Sequence, residues 1–129
     1  MEKTTAVIKN LKKGQFVLID SVPCRVESVQ VSKAGKHGAA KARLDAIGIF
    51  DGRRRSIVKP ADETVEVPII QKKSAQVLAI IGDKAQLMDL TDFTTFEVDI
   101  PEDMKDKVKQ GEEITYYEVM GYKTIQQIK

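Results

Sequence analysis

The chain has 129 residues, enough for one ordinary domain or two small ones. Hydrophobic residues make up 42% and charged residues 31%, the balance of a globular rather than a disordered protein. Tryptophan is absent and aromatics are only 5%, too few for a broad base-stacking platform. Cys24 is the sole cysteine, so no internal disulfide forms, and with His37 as the sole histidine the usual zinc ligand sets are excluded. No apolar run approaches the ~18 residues that span a bilayer. The stretch from Met1 to Val7 is polar and lacks a signal-peptide core, so a cytoplasmic location is expected, with no membrane partner.

The net charge of +2 hides an asymmetry. Residues 1–68 carry 13 Lys+Arg against 8 Asp+Glu, whereas residues 69–129 carry 8 against 11. A basic half joined to an acidic half suggests two domains, and the basic one would face phosphates.

The first half reads as short strands. Phe16 to Ile19 is an apolar run after Gly14, followed by a turn at Asp20-Ser21-Val22-Pro23. Cys24 to Val31 is valine-rich and reads as the next strand, then residues 32–40 form a loop. From Ala40 to Phe50, Ala40, Ala42, Leu44 and Ala46 alternate with Lys41, Arg43 and Asp45, the pattern of a half-buried strand. Asp51-Gly52 is a hairpin signal and Arg53 to Lys59 the returning strand. Thr64 to Ile70 is β-prone, but Pro68 argues for an edge or a domain junction. The boundary is placed there, giving domains 1–68 and 69–129.

The second half reads as three strands, a helix and two strands. Ala75 to Ile81 and Lys84 to Leu90 flank a Gly82-Asp83 turn, and Thr94 to Ile100 alternates Phe96, Val98 and Ile100. Pro101 to Gln110 predicts a short helix, with Glu102 and Asp103 in its first turn and Gly111 ending it. Ile114 to Met120 and Tyr122 to Ile128 are the last strands. That order is the order of an OB-fold barrel. The expected fold is therefore all-β: a small basic barrel, then an OB-fold with one short helix.

The chemistry points to one segment, Ser32-Lys33-Ala34-Gly35-Lys36-His37-Gly38-Ala39-Ala40-Lys41. Gly35 and Gly38 bracket Lys36-His37, and their missing side chains let a bulky partner approach the backbone. A lysine on a slim finger is the expectation; a plain solvated hairpin is the bland alternative. The spacing of a phosphate-binding P-loop is absent, and a Schiff-base lysine would need burial or a cationic neighbour. His37 alone is a poor candidate for an oriented base. A second basic cluster, Arg53-Arg54-Arg55, joins Lys33, Lys36, Lys41, Arg43 and Lys59 to put eight basic and two acidic residues in 33–59, read as one phosphate-contacting surface. Cys24 reads as a small core residue, and Tyr116, Tyr117 and Tyr122 as packing residues.

The motif Gly35-Lys36-His37-Gly38-Ala39-Ala40-Lys41, preceded by Pro23-Cys24-Arg25-Val26 and followed by Gly48-Ile49-Phe50 and Gly52, resembles the translation initiation factor 5A family, the hypusine-containing relatives of bacterial elongation factor P. Ala34 departs from the threonine common in eukaryotic members, and the compact size is similar to archaeal ones. The resemblance spans nearly the whole chain and implies an SH3-like barrel at 1–68 and an OB-fold at 69–129. It implies that deoxyhypusine synthase transfers the aminobutyl group of spermidine to Lys36, within a modification loop containing Lys33, Gly35, His37, Gly38 and Lys41. It further implies a non-enzymatic monomer, without a cofactor of its own, that binds the ribosome beside ribosomal RNA and peptidyl-tRNA and promotes peptide-bond formation at stalled sites. Arg43, Arg53, Arg54, Arg55 and Lys59 are the RNA-contacting candidates. A general RNA-binding protein whose affinity tracks summed charge is the alternative; an enzyme finds no convergent titratable constellation in the sequence.

Overall fold

Alternating apolar residues dictate most of the strands. The computed structural model describes residues 2–33 and 40–128. The chain divides into two compact units, residues 1–69 and 70–129.

In the first unit the strands are β1 (Lys3–Val7), β2 (Phe16–Ile19), β3 (Val22–Ser32), β4 (Lys41–Gly48), β5 (Arg54–Pro60) and β6 (Thr64–Pro68). β2 to β5 form one antiparallel sheet in sequence order, while β1 pairs β6 and β6 lies along β2, which curls the unit into a small SH3-like barrel. Ala42, Leu44 and Ala46 of β4 face its core with Val17, Cys24, Val26, Ile8 and Val65, as the alternation predicts. β3 brings both Val26 and Val29 inward because it is bulged: the register shifts between Val26 and Ser28, leaving Glu27 as the extra residue. Val26 and Val29, three apart, then share one face.

β1 was not foreseen. Its residues are mostly polar and exposed, so it carries no periodic signal of its own; it is a strand because Lys3 to Val7 pair with Pro68 to Thr64. Pro68 ends β6 at that pairing, where its missing N–H does least harm.

The second unit contains β7 (Ile70–Ile81), β8 (Lys84–Asp89), β9 (Thr95–Asp99), β10 (Glu113–Val119) and β11 (Tyr122–Thr124), in the spatial order β11-β10-β7-β8-β9. β11 packs against β9, nearly closing the barrel, and the helical turn lies between the third and fourth strands, as in an OB-fold. Ala75, Val77, Ala85, Leu87, Val98 and Tyr116 fill the interior.

Three predicted boundaries are corrected. β7 begins at Ile70 rather than Ala75, because its polar first half pairs with Thr115 to Val119. The helix expected over Pro101 to Gln110 shrinks to a 3₁₀ turn at Glu102–Met104, followed by one wider bond from the Val108 N–H to the Met104 carbonyl. So short a segment has no favourable propagation to offset its nucleation, and it persists because Met104 and Val108 cover the barrel core. The last strand stops at Thr124 rather than Ile128, where the Thr124 hydroxyl accepts the Gln126 N–H at 3.0 Å and turns the chain.

One buried polar pair ties this barrel together. Asp89 is 3% exposed and Tyr116 1%. The Tyr116 hydroxyl donates to one Asp89 oxygen; the other accepts the N–H groups of Thr91 and Asp92 at 2.7 and 3.1 Å. The phenol's hydrogen bond, with those backbone donors, holds the Asp89 carboxyl down at about 2. Burial, with Asp89 beside it, raises the Tyr116 phenol above its ordinary value. Tyr116→Phe is expected to lower stability by about 1–3 kcal/mol, the loss from removing one partner of a buried hydrogen bond. Urea unfolding measures it, and an unchanged midpoint would refute this account of the pair.

Candidate functional site

β3 and β4 form a long antiparallel pair, from Cys24↔Gly48 at one end to Ser32↔Lys41 at the other. The segment that joins the Ser32–Lys41 end carries Lys36 with Gly35, His37 and Gly38, all outside the described residues. Lys33 and Lys41 flank it. Both are exposed, and neither forms an ion pair among the described residues.

The outer face of this sheet continues from Lys41 to Arg43 and Asp45. Cross-strand neighbours are Gln30 and Ser28 on β3 and Val58 and Ser56 on β5. Asp45 is the hub. It accepts the Ser56 hydroxyl, the Ser28 hydroxyl at 3.2 Å and the Arg43 Nε at 3.4 Å. The Ser56 bond foremost, then Arg43 and Ser28, lowers its carboxyl below the usual value. Arg54 reaches back to the bulge residue Glu27 at 3.0 Å. These residues line a depression of about 460 Å³.

Arg55 has a different occupation. Its Nη1 and Nη2 grip the two oxygens of Asp51 at 3.1 and 2.8 Å, and Nη1 also approaches the Arg53 carbonyl at 3.4 Å. Asp51 accepts the Arg53 N–H at 2.9 Å as well. This fork, together with that N–H, holds the Asp51 carboxyl at about 2, and Asp51 in turn raises Arg55. Gly48 completes the clasp: a Cβ there would lie 2.1 Å from Asp51 Oδ1 and 2.9 Å from Arg55 Nη1. Cys24 sits opposite Gly48 in the ladder, fully buried, and its thiol is pushed up by burial.

The basic residues expected to share one surface differ in placement, although Arg55 borders the same depression as Arg43 and Arg54. Strand alternation sends Arg54 to the outer face beside Arg43, whereas Arg55 and Lys59 take the opposite phase of β5. Lys59 is half-buried near Leu18, Thr64 and Glu66. Arg53 is exposed on the β4–β5 connection, and its guanidinium makes no hydrogen bond or ion pair among the described residues. Sequence reading took Asp51-Gly52 for a simple turn and missed the clasp. The available signal was the Asp51…Arg55 spacing immediately after Gly48.

The first unit is a compact barrel whose β3 and β4 are joined by the segment containing Gly35-Lys36-His37-Gly38, and the second is an OB-fold. Residues 3–63 match the model described as translation initiation factor 5A-like, N-terminal, and residues 69–129 that described as eukaryotic elongation factor 5A hypusine, DNA-binding OB fold. Translation initiation factor 5A of Methanocella arvoryzae is 57% identical over 92% of this chain and 93% of its own. That of Archaeoglobus fulgidus is 48% identical over 98% of each. The solved structure of translation initiation factor 5A from Methanococcus jannaschii superposes with a TM-score of 0.85 at 43% identity, covering 99% of this chain and 96% of that one. A family protein from Naegleria fowleri gives 0.76 at 30% identity, covering 100% and 99%. The chain belongs to the translation initiation factor 5A family, and its role is that of a translation factor.

Gly48→Ala is expected to cost about 1–3 kcal/mol through overpacking against the clasp. The loss should shrink in an Asp51→Ala background, where the obstructing carboxylate is gone; an undiminished loss in thermal melts would place the clash elsewhere. Asp51 and Asp89 both have folded values near 2, below the ~3.9 of an unfolded aspartate. Their contributions are complete above the unfolded value and drain away as pH falls toward about 2. Circular dichroism against pH should show stability falling across that window, and the combination of Asp51→Asn with Asp89→Asn should flatten it.

Proposed function

We propose that this factor works through Lys36, modified to deoxyhypusine or hypusine, and that the rest of the chain serves to present that side chain to the ribosome. The observation that carries the reading is the Gly35-Lys36-His37-Gly38 motif at the Ser32–Lys41 end of the β3–β4 pair, in a chain that matches the family from end to end. Lysine has a flexible four-carbon stem and a compact terminal charge. Deoxyhypusine synthase, drawing on spermidine, would add a butylamine, lengthening the reach and making the side chain dicationic. Two spaced charges suit the phosphates and ribose hydroxyls of a tRNA acceptor end. The factor would bind the ribosome beside peptidyl-tRNA and ribosomal RNA and hold the ribosome's own reactants in a reactive arrangement at stalled sites. Positioning alone supports large accelerations, so no catalytic group or cofactor of the factor's own is invoked. The protein would act in the cytoplasm as a monomer, with no membrane partner.

The alternative, RNA binding that tracks summed charge, draws less support, because Arg55 is committed to the Asp51 fork and Lys59 takes the opposite phase of β5 from Arg54.

The test is the mass of the Lys36 peptide from protein purified from its native cells. An added aminobutyl group is expected, with or without one oxygen; an unmodified Lys36 in actively translating cells would overturn the proposal. Lys36→Arg should leave the melting temperature unchanged while abolishing relief of stalling at proline runs. Normal translation of such runs by cells carrying only that variant would equally refute it.

A further inference from the structure

The connection between β8 and β9 places a phenylalanine where glycine would serve the backbone better. Phe93 has φ of 63°, in the left-handed region that a bulky L-residue enters only at a cost. Phe93 is 66% exposed, so packing within the unit offsets little of that cost. The other non-glycine residues with positive φ among the described residues are Asp20, Ser21 and Met120. They occupy two-residue hairpin turns, where such angles match the strand twist. Phe93 alone among them is aromatic.

The turn that holds it is thoroughly fixed. The Asp89 and Thr94 backbones are bonded at 2.9 Å, and the Phe93 N–H donates to the Asp89 carbonyl at 2.9 Å. The buried Asp89 carboxylate, itself held by Tyr116, accepts from Thr91 and Asp92. Asp92 accepts the Thr94 N–H and hydroxyl at 3.0 and 2.7 Å. A strained, exposed aromatic on a rigid support has the form of an interface anchor, since aromatic hot spots dominate binding and a pre-ordered anchor loses little entropy on docking.

We propose that Phe93 is a docking anchor that inserts into an apolar pocket on a basic protein. Building on the ribosomal reading above, that partner is a ribosomal protein rather than RNA. Charge decides between the two. Residues 69–129 carry 8 Lys+Arg against 11 Asp+Glu, and one of those carboxylates, the exposed Asp92, precedes Phe93 in the turn. Lys73, the cation whose field reaches Asp89 and Asp92, is paired with Glu118 at 3.5 Å. Phosphates are repelled by such a surface, whereas a pocket rimmed by lysine and arginine is attracted.

The experiment uses the full chain with its native Lys36 modification and purified ribosomes. Phe93→Gly and Phe93→Ala are compared with the unsubstituted protein for melting temperature and for co-sedimentation with ribosomes. Phe93→Gly removes both the ring and the backbone conflict, so it is expected to melt at or above the parent, while ribosome affinity falls at least about tenfold for both variants. A photoreactive benzoyl-phenylalanine at position 93 should crosslink to a ribosomal protein. Unchanged affinity overturns the proposal, as does a crosslink to ribosomal RNA, which would make Phe93 a base-stacking residue instead. Failure of the parent protein itself to bind ribosomes would defeat the ribosomal reading, and with it this assignment of partner.

Discussion

The register of β3 against β4 is the constraint on which the first unit, and the proposed role of the Lys36 segment joined to it, depends. A slip of one residue would send Ala42, Leu44 and Ala46 to solvent and Lys41, Arg43 and Asp45 into the core. Two devices fix it. The bulge at Glu27 re-phases β3, so that Val26 and Val29 both meet the core side of β4. At the Cys24–Gly48 end, the Asp51–Arg55 fork packs directly over a residue with no side chain. The pair is thus anchored at the end remote from the motif, and the strands carry that order to Ser32 and Lys41.

The second unit uses the same chemistry differently. In both units a carboxylate is held near 2 by a side-chain donor and by backbone N–H groups of the following residues. Asp51 fixes a turn against the exit of β4. Asp89 fixes a turn against the barrel interior, because its side-chain partner, Tyr116, is a core residue on β10. A buried aspartate would be a liability if any of its acceptor capacity were wasted. Here three donors converge on it, and they tie the turn that carries Phe93 to the barrel wall.

Much of the fold was legible because the strands that pack on one face alternate. β4 and β9 announce their inward residues, and Gly82-Asp83 sits at the β7–β8 turn as its composition predicts. What escaped were features set by partners distant in sequence. β1 exists through β6, the first half of β7 through β10, and the length of the last strand through a threonine hydroxyl. The helix was over-read because charge placement and flanking Pro101 and Gly111 describe where a helix would start and stop, not whether enough residues lie between them to propagate it. At the site, composition exposed the basic segment, but the two phases of β5 are invisible in a charge count. Phe93 gave no signal, since a backbone dihedral leaves no trace in the identity of the residue that tolerates it.

Exposure decides which of the proposed RNA contacts are free to act. A surface ion pair contributes roughly 0–1 kcal/mol, so exchanging its carboxylate for a phosphate costs little. Arg54, with its side chain 78% exposed beside Glu27, and Arg43, 59% exposed beside Asp45, are in that position. Arg55, 20% exposed and gripping Asp51 through two nitrogens, is not: withdrawing it would open the turn and leave the space over Gly48 unfilled. Lys59 points away from this face. Among the described residues of this hairpin, Lys33, Lys41 and the Arg53 guanidinium form no ion pair, two at the motif end and one at the other. A polyanion lying along the outer face would thus meet unpaired charge near both ends of the hairpin and exchangeable charge between them.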